Sequence, residues 1–105
     1  MADTHTFVPD LAGLLGGVPD DSILSRTFYQ DEKCKAILFG FAPAQELSEH
    51  TAARPAVLHF LEGEARLTLG EETYQVHAGA WVHMPAYLSH SVYAITSVSM
   101  LLLML

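Results

Sequence analysis

From Ile23 onward the chain reads as short runs of Val, Ile, Leu, Phe and Tyr, broken every few residues by turn formers. Runs of this length, with period-two alternation and no helical spacing between them, predict strands. We expect strands at 23–29, 34–41, 56–61, 65–69, 73–76, 80–84, 90–95 and 98–105. Glu62-Gly63-Glu64, Gly70-Glu71, Ala78-Gly79 and Pro85-Ala86 supply the turns between them. Alternation puts Ala56, Leu58 and Phe60 on one inward face, and His90, Val92 and Ala94 on another. His50 and Ala52 share a face by the same rule. Strands this closely spaced indicate an all-β sandwich or barrel.

The first 22 residues follow a different pattern and predict a short irregular N-terminal arm, with the barrel occupying 23–105. Leu11, Leu14 and Leu15 suit one apolar helical turn, and Gly13, Gly16 and Gly17 stop it from growing. Such an arm is expected to lie across the domain or over a partner subunit. At the other end, VSMLLLML is apolar at nearly every position. That pattern fits a strand covered on both faces, which in so small a domain predicts a homodimer.

A chain of 105 residues makes one domain, and with half its residues hydrophobic and 16% charged it can fill a core. Five Lys and Arg stand against twelve Asp and Glu, a net charge of -7. An acidic surface repels phosphate backbones, so nucleic acid is not expected as a partner. Cys34 is the single cysteine and forms no internal disulfide; it reads as a plain strand-edge residue. The opening MADTHTFVPD lacks the basic start and apolar run of a secretory signal, and 98–105 is too short to span a bilayer. A cytoplasmic protein with no membrane association is the expectation.

Two stretches carry spaced chemistry. The first runs Ala44, His50, Ala52, Ala56, Gly63, and the second Gly79, Pro85, Tyr87, His90, Ala94. They resemble the two signature motifs of the cupins, G-x5-H-x-H-x3-E-x6-G and G-x5-P-x-G-x2-H-x3-N, with every spacing kept. The resemblance implies a double-stranded β-helix, or jelly-roll, barrel. Cupins usually hold a metal with three His and one Glu. Here His50 and His90 stand at the first and last of those positions, and Ala52 and Ala56 at the other two. Gly63 and Gly79 suit turns that need positive φ, and Pro85 fixes φ as the chain leaves a strand. Ala44 and Tyr87 occupy positions where the family has Gly, and the Tyr87 ring is expected to narrow the barrel mouth.

The resemblance implies a divalent transition metal at His50 and His90, with zinc, nickel, iron, copper and manganese not distinguishable. Imidazole suits several of these ions, although transition-metal sites usually have three or more protein ligands. Glu46 shares the parity of His50 and is a candidate third ligand. His83 is the first reserve, should the register slip by one. His59 is expected to face outward or into an interface, His77 to be exposed, and His5 to lie in the arm. Leu58, Phe60 and Met84 are expected to line a ligand pocket, and Trp81 to serve packing or a dimer contact. Two functions stay open. One is a metal-dependent enzyme of dioxygenase, isomerase or cyclase type acting on a small organic molecule, with no catalytic group named. The other is a non-catalytic small-molecule-binding protein without a tightly held metal.

Overall fold

The computed structural model describes residues 4–105. After a single 3-10 turn at Ala12–Leu14, nine strands follow: β1 (Ile23–Gln30), β2 (Lys35–Phe41), β3 (Glu46–His50), β4 (Ala56–Glu62), β5 (Glu64–Leu69), β6 (Glu72–His77), β7 (Trp81–Met84), β8 (His90–Ala94) and β9 (Val98–Met104). Each of the eight strands anticipated from the pattern begins and ends within one residue of expectation. The ninth, β3, is additional.

The strands form two antiparallel sheets, ordered β1-β2-β9-β4-β7 and β3-β8-β5-β6. This is the all-β jelly roll that the alternation and the motifs predict. The inner faces meet in a core around Phe41, Leu58, Phe60, Leu67, Val92 and Met100. Register explains the alternation: Phe60 pairs with Met100 and Leu58 with Leu102, all facing inward, while His59 pairs with Leu101 and Trp81 on the outer face. Truncating a buried ring such as Phe60 to Ala would cost about 3–5 kcal/mol.

The arm lies over the outer face of β1 and β2. Arg26 donates through a guanidinium nitrogen to the Leu14 carbonyl at 3.0 Å. Leu15 and Val18 press on Gly40 so closely that any side chain there would collide with both. Farther along that face, Leu101 and Leu103 of β9 are half-buried.

Two corners depart from glycine without changing the backbone. Ala44 has φ 67° and Tyr87 φ 69°. In the first, Pro43 occupies the second position of a four-residue turn closed by Gln45 N–H on Ala42 O at 3.2 Å. A turn with Pro there and positive φ next is type II, which ordinarily takes Gly at that next position. The hairpin glycine is retained where space is tightest. Gly63, at φ 88°, would place a Cβ 1.9 Å from the Ser97 carbonyl oxygen.

Candidate functional site

β3 and β8 deliver the two imidazoles. His50 and His90 are register partners, yet Leu47 pairs with Val92. Three steps along β3 therefore match two along β8, which is a β-bulge. The bulge keeps Leu47 and His50 on the inner face together. It also decides the position of Glu46, which pairs with Tyr93 and sits exposed on the opposite face. Simple parity makes Glu46 a candidate third ligand; the extra residue breaks that parity.

The ring centroids of His50 and His90 lie 4.1 Å apart with planes inclined at 60°. His90 is 7% exposed and His50 stands open at the strand end. Each ring is anchored through Nδ1 to a backbone carbonyl two residues earlier: His50 to Ser48 O at 2.8 Å and His90 to Leu88 O at 2.9 Å. A carbonyl oxygen only accepts, so each Nδ1 carries the proton. The free acceptor of each neutral ring is then Nε2. Burial holds the His90 imidazole below its ordinary range; the Leu88 carbonyl partly opposes this, and the neighbouring His50 adds to it.

The rings line a cavity of about 190 Å³ together with Ala52, Ala56, Arg54 and Met84. All four positions of the family's ligand set therefore open onto one space, and two of them present methyl groups. Among the described residues, no group of three or more His, Cys, Asp or Glu side chains converges. The donors present fit half of a metal site and do not fit a tightly held ion. Arg54, which motif reading passed over, forms part of the wall. Its Nε donates to Leu105 O at 2.7 Å and a terminal nitrogen to Lys33 O at 3.0 Å, so its side chain is fixed in place. Both partners are distant along the chain, so no local signal could have marked it.

The other candidates separate. His83 is exposed and pairs with Val57 on the outer face, while its neighbour Met84 is buried inward. His59 is half-buried on that same outer face, and His77 and His5 are exposed. The pocket expected around Leu58, Phe60 and Met84 is divided in two. Met84 belongs to the imidazole cavity, Phe60 to a second cavity nearer β6, and Leu58 to the core. Tyr87 is 70% exposed, and its N–H donates to Ala52 O at 2.7 Å, tying that corner to the cavity wall. No described helix is long and apolar enough to cross a membrane.

The cupin domain family matches this chain over residues 37–105. No match was found among curated proteins. A conserved protein of unknown function from Streptococcus pyogenes has a similar structure, at 32% identity and TM-score 0.83, over 98% of this chain and 90% of that one. A cupin superfamily protein from Desulfitobacterium hafniense superposes with TM-score 0.84 at 21% identity, over 98% and 93% of the two chains. A salicylate 1,2-dioxygenase mutant from Pseudoaminobacter salicylatoxidans shares the fold at 13% identity and TM-score 0.74, over 78% of this chain but only 26% of that one. With the motifs, the two-sheet barrel and the family match in agreement, the chain belongs to the cupins.

Proposed function

We propose that this cupin is a non-catalytic binder of a small molecule, held in the His50–His90 cavity without a tightly bound metal. The observation that carries the reading is the pairing of two Nε2 acceptors, each fixed by an Nδ1–H donated to a backbone carbonyl. The two rings, with centroids 4.1 Å apart, each leave an Nε2 acceptor that a donor can satisfy. A ligand with N–H or O–H groups supplies that donor, and its apolar part rests on Met84 and Leu102. A homodimer formed across the outer face of β9, where Leu101 and Leu103 are half-buried, belongs to the same reading.

A second reading is a weak divalent metal site acting in an enzyme. Its support is that metal-binding histidines are commonly oriented by a hydrogen bond from the other ring nitrogen. His50 and His90 would hold the ion, and the remaining ligands would come from water or substrate. When bound, such an ion would polarise an oxygen of the substrate.

Calorimetric titration of chelator-treated protein with zinc or nickel separates the two. We expect the double substitution Ala52→His, Ala56→Glu to bind either ion at least about a hundredfold more tightly than the native chain. Stoichiometric, tight binding by the native chain, lost in His90→Ala, would overturn the metal-free reading.

A further inference from the structure

The barrel is open along one side. β7 ends the larger sheet and β6 ends the smaller one, so two edge strands face each other across a seam. A cavity of about 340 Å³ lies in it. Its wall comes from β4 to β7 alone, and it shares no residue with the imidazole cavity. The arm covers β1 and β2 at the opposite edge of the larger sheet, so it does not cover this opening.

The chemistry of the wall is one-sided. Phe60, Leu67 and Val82 make an apolar floor. Tyr74, 46% exposed, and Trp81, 62% exposed, stand at the rim. Tyr74 donates its hydroxyl to Glu72 Oε2. Glu72 and Tyr74 pair with Leu69 and Leu67, so the carboxylate shares the inward side of β6 with the cavity. That hydrogen bond pushes the Tyr74 phenol up, so it stays a neutral donor. The four strands contain one Lys or Arg, Arg66, and it is turned to the other face, 5.1 Å from the Tyr93 ring centroid. A greasy floor with an aromatic rim and an unopposed carboxylate selects by charge as well as by shape.

We propose that the seam between β6 and β7 is a second ligand site, independent of the histidines, that takes a small organic cation: an aromatic or aliphatic body with an ammonium head. The body fills the floor against Phe60 and Leu67, and the head meets Glu72 beside the Tyr74 ring. The cavity is at the small end of the roughly 300–1,000 Å³ range of ligand pockets, which suits one ring with a short chain.

Trp81 is the only tryptophan of the chain, so its fluorescence reports on this wall directly. The experiment titrates the full chain with phenethylamine, phenethyl alcohol and hydrocinnamate, which share a phenyl body and differ in charge. We expect a saturable change in Trp81 emission with phenethylamine, at least about fivefold tighter than with the alcohol, and no saturation with the carboxylate. Glu72→Gln, an exposed position, should erase the preference for the amine while leaving the alcohol's affinity unchanged. Equal binding of all three probes, or no saturation by the amine, would overturn the proposal.

Discussion

The barrel's tight corners divide into two kinds. The hairpin at Gly63 and the corner at Gly79 reach positive φ with glycine, whereas Ala44 and Tyr87 reach it with side chains. The first kind leaves no choice at Gly63, where a Cβ would strike the Ser97 carbonyl. The second kind stands next to the strands that carry His50 and His90, and there the left-handed backbone is held without the residue that makes it easy. The imidazole cavity follows the same rule. Its four positions open onto one space, and two of them carry methyl groups. The cupin scaffold geometry is present here without the full cupin ligand set.

The sharpest break in that comparison is Gly63→Ala. With no room for the methyl and a positive φ, the variant should lose about 4 kcal/mol or fail to fold, measured by chemical denaturation. Near-native stability would mean that the hairpin can shift, and the distinction between the two kinds of corner would disappear. The reverse substitutions should act in the opposite direction. Tyr87→Gly and Ala44→Gly each relieve an unfavourable left-handed conformation, and the looser unfolded chain offsets part of that gain. A net stabilisation of about 0.5–1 kcal/mol is expected for each. Destabilisation of the Tyr87 variant would instead assign the ring a packing role.

The smallest effect concerns His90 and pH. Its imidazole is held below the ordinary value of 6.5, chiefly by burial. The unfolded chain therefore takes up a proton at a pH where the folded one does not. Stability should be level above about 6.5 and decline as pH falls through that value, until the folded imidazole protonates too. His90→Gln should flatten this part of the profile. Identical declines in the two proteins would remove His90 as its source.

Most of the strand plan was legible because apolar and polar residues alternate so regularly from Ile23 onward. β3 was not, since Glu46-Leu-Ser-Glu-His50 contains one apolar side chain and resembles a polar loop. The bulge within it was hidden for the same reason, and with it the true side of Glu46. Motif spacing brought His50, Ala52, Ala56 and His90 to one place, because those distances along the chain reflect the barrel's own geometry. The seam could not be seen beforehand. It depends on which strands end each sheet, a property of strand order in space that alternation does not encode. Trp81, read as a packing or dimer-contact residue, is exposed and lines that seam.

One feature of the strand order bears on how the chain is made. β9 lies between β2 and β4, so translation delivers after both of them the strand that joins the two halves of the larger sheet. Until it emerges, β2 and β4 each present a bare, apolar edge on the ribosome, the kind of surface that invites mispairing with another nascent chain. Synthesis should therefore favour chaperone shielding of the eight earlier strands, followed by rapid consolidation when β9 inserts.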